Sequence, residues 1–316
     1  MTSTRTLAAA RVAFLIGEAT RAGGLLGTAT AYHSASGGGA WRMGLALESG
    51  AALCVSWQDA AALAAACELV HQASIVHDDA QDGAAMRRGR QSVAGRYGAP
   101  VAICVGDHLL ASAFGLLAEQ PRVSRLIRLF ASRISEMAAG QAAEFASSLW
   151  TTMTLEHYGF LAGGKAGAAV ALPLEGAALL AGLSEQDAAI AGRIGRTLGV
   201  AYQVGDDVSD LAADLGHGAL NGVVAHALQT SSLLERAELL ALLARAREDG
   251  LSTDEADFEA SHLGPHARRM TQWAQTLLDG IAGDITAHRL GPTLSAVAAA
   301  LACRLDGSAP AQYHAA

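Results

Sequence analysis

Apolar residues recur at spacings of three and four along the chain, and no long stretch alternates as a β-strand would. This period predicts helices throughout. Clusters of glycine and proline interrupt the period, and from them we expect about ten helices joined by short loops. The interruptions lie at residues 21–24, 36–40, 96–100, 119–121, 162–165, 215–218, 248–250 and 262–265.

Composition agrees with a helical fold. Hydrophobic residues make up 51% of the 316 residues, aromatic residues only 5%, and there are 6 prolines. Alanine and leucine, which dominate the apolar content, favour helices most strongly, whereas proline breaks them. No linker or low-complexity segment separates two halves. We therefore expect an all-α protein with a single helical domain over residues 1–316.

Charge and cysteine usage exclude several function classes. The net charge of −8 argues against nucleic-acid binding, which needs a basic face. The four cysteines form no CxxC pair, so we expect small buried residues in a reducing compartment and a cytoplasmic protein. The most apolar stretch, residues 101–118, has Asp107 and His108 in its middle and predicts a buried core helix rather than a membrane span.

Two acidic motifs share the spacing DDxxD. In each motif the first and last aspartates are four residues apart, so on a helix they lie on one face, where like charges repel. Mg²⁺ accounts for such a pattern, since it prefers carboxylate and phosphate oxygens. The six residues are Asp78, Asp79, Asp82, Asp206, Asp207 and Asp210.

The surroundings of the motifs favour a binding site over solvated acidic helix ends. The residues before each motif, 68–76 and 201–204, are mostly apolar, which places the carboxylates at the mouth of a buried space. Two such faces across a cavity can hold several Mg²⁺ ions and a diphosphate between them. An apolar cavity below them suits a diphosphate with a hydrocarbon tail.

These stretches resemble the trans-prenyl diphosphate synthases of the isoprenoid synthase superfamily. The order and spacing hold from about residue 30 to about residue 228. The matching stretches are "ELVHQASIVHDDAQDGAAMRRGRQS" at 68–92, "GDHLLASAFGLLA" at 106–118, "GQAAEF" at 140–145, "GGKAG" at 163–167 and "YQVGDDVSD" at 202–210. The resemblance implies a helical bundle with a central cavity, a homodimer, and ionisation of an allylic diphosphate followed by formation of a C–C bond.

The resemblance also implies roles for single residues. The six aspartates would bind Mg²⁺, with three ions expected, and through it the allylic diphosphate. Arg87 and Lys165 would grip that diphosphate directly, and Gln203 would stabilise the metal site or the carbocation region. As an alternative, the arginines at 87 and 88 are a solvated loop pair.

A second substrate, isopentenyl diphosphate, would be held by Arg42, His71 and Arg88 according to the same resemblance. The alternative for His71 is a hydrogen-bonded core histidine. Small residues four and five positions before the first motif, Ser74 and Ala73, imply a deep pocket and a product of around twenty carbons or more. Phe114 on the next helix could close that pocket further down, and Ala73 could instead be a helix-packing alanine.

The chain departs from the family where cations are expected. Gly39 and Ala40 stand where the family usually has Lys and Arg, and Ala219 stands at the likely position of another Lys. His217 is a weak substitute, because a histidine is mostly neutral at pH 7. Lys165 is the only lysine in the chain. Each lost cation removes a charge-assisted bond worth about 1.5–3 kcal/mol.

Three functions therefore stay open. The first is a chain-elongating prenyltransferase that condenses an allylic diphosphate with isopentenyl diphosphate. The second is a diverged member that acts without isopentenyl diphosphate, as a terpene cyclase or an irregular coupling enzyme. The third is a non-catalytic subunit of a heteromer, which the retention of all six aspartates disfavours.

Overall fold

The computed structural model describes residues 2–35, 41–145, 153–219 and 221–305. The helices in these ranges are α1 (Thr2–Ala19), α2 (Gly24–Ser34), α3 (Trp41–Ala52), α4 (Trp57–Gln81), α5 (Val93–Tyr97), α6 (Ala99–Ala118), α7 (Val123–Glu144), α8 (Leu155–Ala162), α9 (Ala168–Leu180), α10 (Glu185–Ser209), α11 (Leu211–Gly216), α12 (Gly222–Thr230), α13 (Leu233–Asp249), α14 (Thr253–His262), α15 (Gly264–Gly280), α16 (Ala282–Ala287) and α17 (Gly291–Leu305). A hairpin of β1 (Met86–Arg87) and β2 (Arg90–Gln91) is the only sheet in the described ranges.

The all-α fold is confirmed, but the number of helices and the position of one helix break differ from the expectation. There are more helices than about ten, because several connections contain short helices such as α11 and α16. The interruption predicted at 162–165 is wrong. Gly163–Gly167 forms a π-helical turn, and helix runs without a break from Leu155 to Leu180. Such turns insert a residue into a helix and are frequent at functional sites.

Two long helices, α4 and α10, are built alike. Each has 25 residues, which is about 37 Å. Each begins after a serine whose side chain accepts a hydrogen bond from a backbone N–H: Ser56 from Asp59 at 3.1 Å, and Ser184 from Asp187 at 3.0 Å. Each ends in one of the acidic motifs, so the helical frame sets where the carboxylates lie.

The core has two apolar clusters. One surrounds α4 and includes Leu63, Leu69 and Leu109. The other surrounds α10 and includes Ile194 and Leu198. Helix α9 contacts α3, α4, α7 and α10, and so lies between the two clusters. The acidic ends of α4 and α10 are held in one bundle by this shared neighbour.

The cysteines and the apolar helix α6 test two further expectations. Cys67 is buried as expected, whereas Cys54, Cys104 and Cys303 are exposed, so that expectation is wrong for these three. By length and composition, α6 is the one helix in the described part of the chain that could cross a membrane, and 39% of its apolar window is buried. It packs along α4, as a core helix does.

Glycines on α10 allow α9 and the π-helical turn to approach closely. A Cβ added at Gly195 would lie 2.7 Å from the Cα of Ala171, and one added at Gly199 would lie 2.5 Å from the Cα of Gly167. These neighbours are backbone atoms, so a side chain can be accommodated only if the helices separate. The contact fixes α10, and with it the second acidic motif, against the bundle.

We expect Gly195→Ala to lower the free energy of unfolding by about 1–3 kcal/mol, because it overpacks this contact. Urea unfolding of the purified protein measures the change. Gly17→Ala on α1 is the matched control, since among the described residues no atom beyond the adjoining backbone of its own helix lies within 4 Å of the added Cβ. The control should be neutral or slightly stabilising. Equal unfolding curves for Gly195→Ala and wild type would contradict the close packing.

Candidate active site

An apolar cavity of about 620 Å³ lies between α4, α6 and α7. Its size is typical of sites for small molecules. Ala73 and Ser74 lie on its wall, as the sequence implied, and Asp78 lies at its polar edge. The remaining lining residues are Val70, His77, Gln81, Leu110, Ile134, Met137, Ala138, Gln141, Ala142 and Phe145.

Phe114 lies on α6 one helical turn beyond Leu110, the residue at which the cavity meets that helix. It is not among the residues that line this cavity and packs, partly buried, against the core around α4. That Phe114 closes the pocket further down therefore stays a prediction.

A smaller polar cavity of about 140 Å³ adjoins the apolar one. Four residues line both cavities: Ser74, Asp78, Met137 and Gln141. The polar cavity brings together several residues that the sequence separates, namely Arg42, His71, Lys165 and Gln203. A ligand with a charged head and an apolar tail would occupy the two spaces together.

The three aspartates of the first motif have two different environments. Asp82 caps the C-terminus of α4 and donates its N–H to the carbonyl of Asp78 at 2.8 Å, which keeps both residues on one face. Asp79 is buried, and its Oδ1 accepts hydrogen bonds from Arg87, at 2.9 Å from Nε and 2.5 Å from Nη2. Arg87 therefore holds an aspartate of the motif in this structure.

Burial makes the first motif electrostatically costly. It raises the pKa of Asp78 to about 6, an effect that Lys165 opposes and Asp82 reinforces. Burial raises the pKa of Asp82 as well. Lys165 lies on the π-helical turn and pairs with Glu144 at the end of α7. The described part of the chain thus compensates these two carboxylates incompletely.

The second motif repeats this arrangement with different partners. Asp210 caps α10 and donates its N–H to the carbonyl of Asp206 at 2.8 Å. Asp207 is buried and accepts three hydrogen bonds, from the Tyr158 hydroxyl at 2.8 Å, the Gly222 N–H at 2.7 Å and Gln203 Nε2 at 2.8 Å. Burial nevertheless raises the pKa of Asp207 to about 6.

The sequence around the second motif, residues 205–222, contains no lysine or arginine. Arg304, on α17, supplies a cation there in the folded protein. Its guanidinium donates to Asp206 Oδ1 and lies 4.7 Å from the ring centre of Tyr202. Its side chain is only 9% exposed. Burial raises the pKa of Asp206, and Arg304 opposes that effect. Sequence reasoning missed this residue, because it lies 98 positions from its partner and outside any recognised motif.

Arg42, His71 and Arg88 form a second cationic region beside the polar cavity. Arg42 Nη1 lies 3.0 Å from His71 Nε2. Burial, followed by the charges of Arg42 and Arg88, holds the pKa of His71 well below its usual value, so this ring is neutral and accepts the bond from Arg42. Arg88 lies in the two-residue turn between β1 and β2, where its φ is +51°.

The positions without the expected lysines have other structures. Ala219 follows the turn at His217 and Gly218 and donates its N–H to the carbonyl of Asp214 at 2.8 Å. His217, the weak substitute, is exposed at the end of α11. Asn221 ties this short loop to α10, since its Nδ2 donates to the Asp207 carbonyl at 2.7 Å. Residues 36–40, which include Gly39 and Ala40, lie outside the described residues.

The carboxylates fit Mg²⁺ as ligands of a site completed by a substrate. Within residues 2–35, 41–145, 153–219 and 221–305, no three His, Cys, Asp or Glu side chains are close enough to hold a metal ion alone. Mg²⁺ is usually held by one or two carboxylates together with phosphate oxygens and water. The pair Asp78 and Asp82, and the pair Asp206 and Asp210, offer that hard-oxygen donor set.

Comparison with known proteins adds an independent result. The sequence profile of the polyprenyl synthetase family matches residues 24–254. A short chain isoprenyl diphosphate synthase of Methanothermobacter thermautotrophicus is 30% identical over 227 residues, 67% of this chain and 70% of that protein. A geranylgeranyl diphosphate synthase of Mycobacterium tuberculosis is 33% identical over 204 residues, 63% of this chain and 58% of that protein.

The fold also has close counterparts among solved structures. The polyprenyl synthetase of Streptomyces coelicolor A3(2) superposes with a TM-score of 0.84 at 24% identity, over 98% of both chains. At that identity the likeness concerns the fold alone. It covers the C-terminal helices, including the one that carries Arg304, which the family profile does not reach.

The raised pKa of Asp78 generates a stability prediction for the metal-free protein. Between about pH 4 and pH 6 the folded state binds more protons at Asp78 than the unfolded state, so this group lowers stability as the pH rises. We expect Asp78→Asn to be more stable than wild type by about 1–2 kcal/mol at pH 7.5, after allowance for solvent screening, and by little at pH 4.

Thermal unfolding in the presence of a chelator, measured across this pH range, checks the expectation. Asp257→Asn, at an exposed position of α14, is the control and should change little at any pH. Mg²⁺ with inorganic pyrophosphate should raise the unfolding temperature of wild type and the control but not that of Asp78→Asn. A variant that is less stable than wild type at pH 7.5 would contradict the electrostatic interpretation.

Proposed function

The chain belongs to the polyprenyl synthetase family, as its motifs predicted, and we propose that it condenses an allylic prenyl diphosphate with isopentenyl diphosphate. The predicted enzyme class, a prenyltransferase, agrees with the names of the relatives. One observation carries the proposal: two pairs of carboxylates end α4 and α10, and Asp78 of the first pair lines a polar cavity that opens into an apolar one.

The metal site is proposed on two pairs of carboxylates, each of which lies on one face of its own helix. Asp78, Asp82, Asp206 and Asp210 would hold Mg²⁺, which neutralises the diphosphate and improves it as a leaving group. Asp79 and Asp207, predicted as ligands too, would also fix the helix ends: Asp79 accepts from Arg87 at Oδ1 alone, and Asp207 accepts at both oxygens from Tyr158, Gly222 and Gln203. The expected number of three ions rests on the family resemblance.

The chain's own residues would bind and orient the allylic diphosphate and would exclude water from the site. The apolar cavity takes the hydrocarbon tail, and Lys165 lies at the polar end as the direct cationic contact. The C–O bond of the allylic diphosphate breaks with both electrons leaving on oxygen. The double bond of the second substrate then forms the new C–C bond, and a proton leaves to the released diphosphate. A dry wall keeps water from capturing the cation.

The second substrate would bind at Arg42, His71 and Arg88. His71 is neutral and accepts from one arm of the Arg42 guanidinium, which orients the remaining donors. The planar fork of arginine suits two phosphate oxygens at once. This site is proposed on proximity to the polar cavity and on charge.

One observation favours the alternative that isopentenyl diphosphate is not used. Glu68 lies close enough to Arg42 and Arg88 to interact with their charges, and burial raises its pKa. Its Oε2 is buried without a hydrogen-bond partner among the described residues. A carboxyl group weakens a site for a diphosphate, particularly where the family's lysines are absent. A terpene cyclase or an irregular coupling enzyme would not need that site.

The domain organisation, assembly and location of the protein are proposed from its packing and its exposed apolar residues. We propose that residues 1–316 are one domain, because α9 joins both apolar clusters. Apolar residues left exposed on α6, such as Ile103, would suit a contact with a second copy in a homodimer. A cytoplasmic location fits the core packing of α6.

The function is tested by incubating the protein and Mg²⁺ with geranyl, farnesyl or geranylgeranyl diphosphate, each with and without isopentenyl diphosphate. We expect longer linear diphosphates only when isopentenyl diphosphate is present, as read by mass spectrometry together with diphosphate release. Hydrocarbons, alcohols or coupled products without it would establish the alternative. An absence of diphosphate release from every substrate would leave the non-catalytic subunit.

The depth of the apolar cavity predicts a change of product length. Ala73 is fully buried on the cavity wall, so Ala73→Phe should fill the space below the mouth and shorten the longest product by at least one five-carbon unit. Chromatography of the dephosphorylated products measures this change. Ala113→Phe is unsuitable as a control because that residue is buried in the core. Ala111→Phe, at an exposed position of α6, should leave the product length unchanged.

A further inference from the structure

Gln141, on α7, lies where the two cavities meet. It is one of the four residues that line both the polar and the apolar space. In an allylic diphosphate the carbon that reacts joins the charged head to the apolar tail. If the head lies in the polar cavity and the tail in the apolar one, that carbon lies at the junction. This step rests on the proposed function.

The amide oxygen of Gln141 has no hydrogen-bond partner among the described residues. The side chain is buried, with 8% of the residue exposed. Leaving a buried acceptor unsatisfied costs stability, so such an atom in a folded protein needs an explanation. The other shared residues differ: Ser74 donates to the His71 carbonyl at 2.8 Å, Met137 is apolar, and Asp78 belongs to the first acidic pair.

We propose that Gln141 is a catalytic residue whose Oε1 stabilises the allylic carbocation. When the C–O bond breaks, both electrons leave with the diphosphate and the allylic carbons carry one positive charge. The negative end of the amide dipole faces that charge without forming a bond to it. The charge disappears when a double bond supplies the electron pair of the new C–C bond and a proton leaves to the diphosphate.

An amide is suited to this place for two reasons. A carboxylate would be a strong nucleophile toward the cation and would repel the diphosphate, whereas an amide oxygen has a fixed partial charge and reacts poorly. A dipole already oriented in a site without water also needs no reorganisation during the reaction. The unsatisfied oxygen is then explained, since its partner exists only while the cation does.

The test compares Gln141→Met with wild type in the presence of Mg²⁺, saturating isopentenyl diphosphate and the allylic diphosphate that wild type turns over fastest. We expect kcat to fall about tenfold to a hundredfold, with the KM for the allylic substrate changed less than threefold. The thermal unfolding temperature should be equal or higher, because the substitution removes an unsatisfied buried acceptor. A residue with a purely structural role would give the opposite change in stability.

A second measurement isolates the charge. An analogue with an ammonium nitrogen in place of the cationic carbon should bind wild type about tenfold more tightly than Gln141→Met, while a thio-diphosphate analogue, which has no positive charge at that carbon, should bind both equally. The matched control is Gln120→Met. The Oε1 of Gln120 is also buried without a partner among the described residues, but that residue follows the far end of α6. This control should keep the kcat of wild type.

The outcomes separate the two proposals. An active wild type with an equally active Gln141→Met variant, or with equal affinity of both proteins for the ammonium analogue, would overturn the role of Gln141 and leave the proposed function intact. A wild type that releases no diphosphate from any allylic substrate would overturn both.

Discussion

The structure depends on negative charge held at the C-terminal ends of two buried helices. α4 and α10 end in DDxxD motifs, and the C-terminus of a helix already carries partial negative charge from its carbonyl groups. Burial then raises the pKa of four of the six aspartates, Asp78, Asp82, Asp206 and Asp207. A helix designed for stability alone would place cations at these ends. The arrangement agrees with the proposed function, in which a cationic ligand completes it.

In both motifs the second aspartate is held by hydrogen bonds from neighbouring residues. The first aspartates differ in whether the protein supplies a cation for them. Asp79 accepts hydrogen bonds from Arg87, and Asp207 accepts them from Tyr158 and Gly222. Each of these aspartates points about 100° away from the helix face that carries the first and third aspartates of its motif, and its hydrogen bonds fix the helix end. Among the described residues no side chain donates a hydrogen bond to Asp78, whereas Asp206 is paired with Arg304. The two carboxylate pairs are therefore unequal, and the second is already partly neutralised by the protein itself.

Sequence reasoning found what local spacing encodes. The i and i+4 geometry of Asp78 with Asp82 follows from the helical period, and the cavity wall at Ala73 followed from the family resemblance. The pairing of Arg304 with Asp206 was not visible, because a contact across 98 residues depends on how α17 packs on α10. The sequence predicted a break at the π-helical turn, because glycine pairs usually interrupt helices. The close packing of α9 and this turn against α10, which keeps the helix continuous, is visible only in the structure.

The same packing positions Lys165, the only lysine of the chain. A Cβ on Gly140 would lie 3.2 Å from the Cγ of Lys165 and 3.2 Å from the carbonyl carbon of Gly164, so the glycine on α7 leaves room for the stem of this lysine. Its ammonium pairs with Glu144 and opposes the rise in the pKa of Asp78. Arg87 and Arg304 meet their aspartates from other elements of the fold. The cations that face the acidic motifs thus come from three separate parts of the chain, which is why the sequence around each motif shows so little of the charge balance.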